Sequence, residues 1–220
     1  MKNIVDISIF LILQFVFISM ILIYLYHGGS VLHPNAESFI FSENFLNDLG
    51  RYYYYNGNIN PFGIFFTLSL TLFGVGTATF FYVISKFCHQ RRYIPLVFGV
   101  ISGMSLIGFA VYWSDITHDK HIFFGRLAYL SFFIASLSLS FYLKKQYFPD
   151  VYYALIFLNL SLFLFLIFMF LIDSRHFSMD SEQKLRYTAI MQKFIITVRI
   201  SVMVYILYVL KKLNKKINIL

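Results

Sequence analysis

Charge is scarce in this chain of 220 residues: Asp, Glu, Lys and Arg make up 13% of it, while 59% is hydrophobic and 21% aromatic. A soluble domain carries about twice that share of charge, so an ordinary water-facing globule is excluded. Cysteine is nearly absent. Cys88 is the single one, which rules out an intramolecular disulfide, and a thiol on the cytosolic side would stay reduced. There is no basic domain to grip a nucleic acid, because the net charge of +8 comes from small clusters set between apolar runs. Catalytic signatures are missing as well: no phosphate-binding loop, no nucleophile elbow, no dinucleotide fingerprint and no paired haem-ligand pattern. The glycine-rich "GVGTAT" at Gly74–Thr79 lies inside an apolar run and follows no strand.

What the chain has in abundance is long hydrophobic runs. Six of them, Val5–Tyr26, Phe62–Ile84, Ile94–Trp113, Ile122–Leu143, Val151–Ile172 and Tyr187–Leu210, exceed or approach the roughly 20 residues needed to cross a bilayer. They are continuous rather than alternating, which disfavours a β-barrel. The expected fold is all-α: one polytopic membrane domain over 1–220, built as a bundle of six transmembrane helices. The first run is followed by "YHGGSVLHPN", without a small-x-small cleavage site, and reads as a retained helix rather than a signal peptide. Small residues trace packing seams: Gly63, Thr67, Thr71, Gly74 and Ala78 on the second helix, Gly99 and Gly103 on the third.

Basic residues gather at alternate helix ends: Lys2, then Lys86, Arg91 and Arg92, then Lys144 and Lys145, then Lys211, Lys212, Lys215 and Lys216. The positive-inside rule places both termini in the cytoplasm. The opposite face then collects Glu37, Glu43, Asp48, Asp115, Asp119, Asp173, Asp180 and Glu182, together with His27, His33, His118, His121 and His176. Positive-inside sorting accounts for some of the acid excess but does not predict where histidine goes.

The first outer connection, residues 27–60, is too long for a simple turn. Ser42 can cap a short helix with Phe45, Leu46 and Leu49 on one side, ended by Gly50 in the left-handed conformation. Asn44, Asn47 and Asp48 would face water or the bundle mouth, Tyr52 to Tyr55 suit the headgroup layer, and Asn56-Gly57 supplies a turn before Pro61 starts the second helix. The expectation is an interfacial lid. Its "SENFLNDLG", followed by a Gly/Asn-containing turn and a membrane helix, resembles the signature of a bacterial family of six-helix membrane proteins distantly similar to the Frag/DRAM/Sfk group, the matching residues being Ser42, Asn44, Asp48, Leu49, Gly50 and Asn60. The resemblance implies a lipid-related setting, since eukaryotic members of the broader group are associated with lipid remodelling, membrane-lipid asymmetry and autophagy; it transfers no catalytic motif. The excess of Phe, Ile, Lys, Asn and Tyr is that of an AT-rich coding sequence, and the expected location is the bacterial plasma (inner) membrane.

Ionisable residues within apolar runs are functional candidates by default. Arg126 lies in the fourth, and Gln192, Lys193 and Arg199 in the sixth, with no acid at mid-helix anywhere. At 1.5 Å per residue Lys193 sits roughly 9 Å and Arg199 roughly 18 Å below the outer start of the sixth run, so Lys193 snorkels more easily and Arg199 needs a partner. Gln192 and Arg199, seven apart, share a face. The partner is either a helix-end or lid carboxylate (Asp115, Asp173, Glu43, Asp48) or an anionic ligand, for which a lipid headgroup is the expected species. Separately, "SDITHDKH" places Asp115, His118 and His121 in one connection and Asp173 with His176 in the next, ligand types that could hold a divalent metal, although the spacing is equally that of a wet connection or a pH-sensing cluster.

The expected function is therefore binding or handling of a lipid or lipid-linked anion at the outer leaflet. Arg126, Gln192, Lys193 and Arg199 would receive the anion between the fourth and sixth helices, and Glu43 or Asp48 would close over it. A metal-assisted lipid hydrolase or transferase and a small transporter or scramblase stand as alternatives. Membrane lipids are the expected partners.

Overall fold

The computed structural model describes residues 2–88, 92–143, 145, 148–173 and 180–217. The described residues form six α-helices: α1 Lys2–Tyr24, α2 Gly63–Ser85, α3 Tyr93–Val111, α4 His118–Tyr142, α5 Pro149–Asp173 and α6 Ser181–Ile217. All six are long and apolar enough to cross a membrane. No strand occurs among the described residues beyond an isolated bridge between Tyr53 and Ile59. Helices are the expected answer, because lipid offers no hydrogen-bond partner and the backbone must satisfy itself.

The helices reach past the apolar runs wherever polar residues continue the turn. Asp180 accepts the Gln183 amide through Oδ1 at 2.7 Å, so α6 starts before Tyr187. Its far end continues through the basic residues beyond Leu210. Each helix packs on the next in sequence, and α6 returns to α1, closing a ring in which α2 and α6 also touch. Phe80, Phe81, Phe132, Leu139, Leu155, Ile195 and Met203 fill the interior. The outside is large and apolar, with Phe10, Phe17, Met20, Leu68, Phe141, Phe157, Phe163 and Phe194 exposed, as a lipid-facing surface requires. At the end away from the 25–62 connection, Lys211 contacts the Asp6 carboxylate, tying α6 to α1. Of the basic clusters at that end, Arg91, Lys144 and the side chains of Lys2, Lys215 and Lys216 lie outside the described residues.

Close approach of α2 and α3 rests on two glycines. A Cβ on Gly74 would stand 2.6 Å from the Gly103 carbonyl oxygen, and one on Gly103 2.5 Å from that of Gly74. Hydroxyls and amides fasten other seams: Ser102 Oγ donates to the Ala128 carbonyl at 2.9 Å, and Asn159 is bonded to Ser136 and Ser140 between α4 and α5. Gln14 in mid-α1, whose Nε2 donates to the Ser69 carbonyl at 2.8 Å and whose Oε1 accepts the Ser69 hydroxyl at 2.9 Å, fastens α1 to α2.

The connection spanning 25–62 is ordered and sunk into one end of the ring. Leu49 and Tyr54 are buried there, and so are Glu43, Asn44 and Asp48. Three local expectations are corrected. The short helix is a 3-10 turn, Leu46–Gly50, and Asp48 rather than Ser42 closes its start by accepting the Phe45 amide at 2.8 Å. Gly50 is not left-handed; a Cβ there would meet Phe66 Cδ1 at 2.5 Å, so the need is for closeness rather than for torsional freedom. Of the two orientations expected for Asn44 and Asp48, water or the bundle mouth, water is the one excluded, because they are buried and hydrogen-bond each other and the surrounding backbone. The Asn56-Gly57 turn forms as expected, with Gly57 at φ +85° and its amide bonded to the Tyr54 carbonyl at 3.1 Å. Helix α2 begins at Gly63, two residues after Pro61, and the tyrosine run does not lie together on the surface: Tyr54 is buried and Tyr52 stacks on Trp113 at 4.8 Å.

Candidate functional site

The lid is latched from two sides. On the α6 side, Arg186 pairs with Glu43 at 3.0 Å, Gln192 Oε1 accepts the Leu46 amide at 2.9 Å, and Gln192 Nε2 donates to Asn47 Oδ1 at 3.1 Å. Lys193 donates to the backbone carbonyls of Asn44 and Ala189, its ammonium lies 4.8 Å from the Phe41 ring centre, and Asp48 is its electrostatic partner. From the other side, Asp115 accepts two consecutive lid amides, Tyr52 at 3.1 Å and Tyr53 at 2.7 Å.

His121 completes that second latch. Its Nδ1 lies 2.7 Å from the Tyr112 carbonyl oxygen, which can only accept, so Nδ1 carries the proton and Nε2 accepts the Asn47 amide at 3.1 Å. A continuous chain of donors runs from Gln192 through Asn47 and His121 to the Tyr112 carbonyl, joining α6 to α4 through the lid. The ring also stacks on Phe109 at 3.8 Å.

Two carboxylates hold the lid's own shape. Burial pushes the Glu43 carboxyl up, but the Ser30 hydroxyl at 2.5 Å, the His33 ring at 2.9 Å and the Arg186 guanidinium outweigh it and hold it below its ordinary value of 4.5. For Asp48 the balance is reversed. Burial raises it above its ordinary 3.8 despite donors from Asn44, Tyr55 and the Phe45 amide.

Beneath the lid, Arg199 stands apart from these latches. It is 2% exposed, and among the described residues its one hydrogen bond runs from Nη2 to Thr77 Oγ1 at 3.3 Å, while Nε is buried with no partner. The guanidinium lies 3.8 Å from the Phe132 ring centre and 5.4 Å from that of Phe73, and its electrostatic neighbour is the Tyr129 phenol. No carboxylate among the described residues reaches it. Arg199 lines a cavity of about 40 Å³ roofed by Leu46, Asn47 and Gln192 and walled by aromatic rings including Phe66 and Phe109.

The structure thus separates residues that sequence grouped together. Gln192 and Arg199 meet at one cavity, whereas Lys193 is committed to the lid and Arg126 is exposed and does not line the cavity. Glu43 and Asp48 belong to the lid but bond within it and to Arg186. Among the described residues no three His, Cys, Asp or Glu side chains converge to hold a metal: Asp115 and His121 are bonded into the lid and His118 is exposed. His176 and the side chain of Asp173 lie outside the described residues. Sequence reasoning passed over Arg186, which reads as a surface i,i+4 partner of Glu182; Asn47 as a bridge; and Thr77 and Tyr129, which nothing in the local pattern marks. Protein-family models, curated proteins and solved structures were each searched and none matches this chain.

Proposed function

We propose that this protein binds the anionic group of a membrane amphiphile, a lipid or lipid-linked anion, with Arg199 as the receiving cation and the 25–62 segment as a lid that opens to admit it. One observation carries the reading. Among the described residues a guanidinium is buried beneath the lid with an unpartnered Nε and no carboxylate beside it, an arrangement costly in an apolar interior unless an anion completes it. Gln192, Lys193, Arg186 and Asp115 act in this reading as the latches that hold the lid down, each through hydrogen bonds or ion pairs that water can replace when the lid lifts. The cavity of about 40 Å³ corresponds to the closed form. The basic residues Lys86, Arg92, Lys145, Lys211 and Lys212 support a cytoplasmic placement of the far end, and therefore a lid on the outer face of a bacterial plasma membrane. A lipid-related setting is also what the resemblance of the "SENFLNDLG" segment implies.

Native mass spectrometry of protein released gently from its membrane tests the reading. The wild type should retain an anionic amphiphile that Arg199→Met loses while still folding. An empty wild type whose mass spectrum is unchanged by the substitution would return Arg199 to a purely structural role.

A further inference from the structure

We propose that the Arg199 cavity takes a singly charged anion, a carboxylate rather than a phosphomonoester; the inference deepens the reading above and rests on it. Charge comes first. Among the described residues three cations at the lid are engaged elsewhere: Lys193 on two carbonyls, Arg186 on Glu43 and Glu182, and Arg51 on the Tyr53 carbonyl and the Tyr55 ring. Arg126 is exposed and does not line the cavity. One guanidinium therefore faces the space, and a phosphomonoester dianion would bring a second, uncompensated charge against walls of Phe and Leu. A monoanion is balanced.

Shape agrees. One face of the guanidinium is covered by Phe132, and in the fork made by Nε and Nη2 the Nε–H has no partner among the described residues while Nη2 keeps a second N–H beyond the one given to Thr77. A carboxylate matches such a fork with two parallel hydrogen bonds.

A carboxylate can arrive on an acyl chain or as a free solute, and the test separates them. Thermal unfolding of the full-length protein in detergent is followed with sodium dodecanoate, sodium acetate or dodecyl phosphate, each below its micelle-forming concentration. The pH is set near 8, where the phosphomonoester carries about two charges. Dodecanoate is expected to raise Tm by about 5–11 °C at a hundredfold excess over its Kd, dodecyl phosphate to leave it unchanged, and Arg199→Met to remove the rise. Dodecyl phosphate equalling or exceeding dodecanoate would overturn the single-charge inference while leaving anion binding intact. Acetate matching dodecanoate would uphold the single charge but overturn the amphiphile reading. No response to any of the three would overturn both. The rank order on the wild type decides these outcomes even if the variant fails to fold.

Discussion

Replacing Arg199 by Met should stabilise the ligand-free protein, and the sign of that change separates a ligand-seeking guanidinium from a structural one. Met has a similar length and no charge. The effective cost of an unpaired buried ion is several kcal/mol, here taken as about 5. Against its removal stand a desolvated cation–π contact with Phe132, about 2 kcal/mol, and one charged hydrogen bond to Thr77, about 1.5 kcal/mol. The net relief of about 1.5 kcal/mol corresponds to a Tm higher by about 3–6 °C at this chain length. Circular dichroism melts in detergent, after delipidation, read the helices. Tryptophan fluorescence reads the lid in the same sample, because Trp113 is the chain's single tryptophan and stacks on Tyr52 of the lid. If Arg199 instead belonged to a complete ion pair, removing it would leave a partner charge buried and cost about 3–5 kcal/mol. A Tm lower by about 6–20 °C would refute the reasoning.

Other consequences follow from the latches and seams. Lys193→Met leaves the Asn44 carbonyl without its donor, so the lid should loosen by about 1–3 kcal/mol, seen as altered Trp113 emission and faster proteolysis within 25–62, with helix content unchanged. The folded Glu43 carboxyl is held below 4.5, so its contribution to lid docking is complete above that pH and is lost as pH falls through the lower folded value; Asp48, raised above 3.8, works the other way and gains stability on acidification. A pH titration of Trp113 emission should accordingly show the lid released only below about 4.5 in the wild type, and that acid release should be absent in Glu43→Gln. At the α2–α3 seam, Gly103→Val forces the helices apart because the new Cβ meets the Gly74 carbonyl, and a loss of about 1–3 kcal/mol should appear as a lower Tm; an unchanged Tm would mean the two helices do not approach as described.

The sequence alone determined the architecture, because crossing a bilayer is a local requirement. About 20 apolar residues and a self-bonded backbone suffice, and each of the six runs announced itself without reference to the others. Depth was legible for the same reason: the helical rise puts Arg199 deeper than Lys193, and a spacing of seven puts Gln192 on its side. The Asn56-Gly57 turn was readable because its conformation is written in two residues.

Partners were not legible, because each side chain's partner is chosen by packing between segments far apart in sequence. Lys193 and Arg199 look alike as intramembrane cations, yet the lid carbonyl of Asn44, 149 positions from Lys193, answers one and leaves the other alone. Arg126 looked equivalent until the rotation of α4 turned it outward while Gly125 and Tyr129 faced the cavity. Asp115 and His121 had the chemistry of metal ligands, and only the folded lid shows their lone pairs spent on the Tyr52, Tyr53 and Asn47 N–H groups. Composition and periodicity act within one helix and determined where the polar groups sit; the tertiary structure decided which of them are satisfied, since hydrogen bonds and ion pairs reach only a few ångströms and depend on what lies opposite.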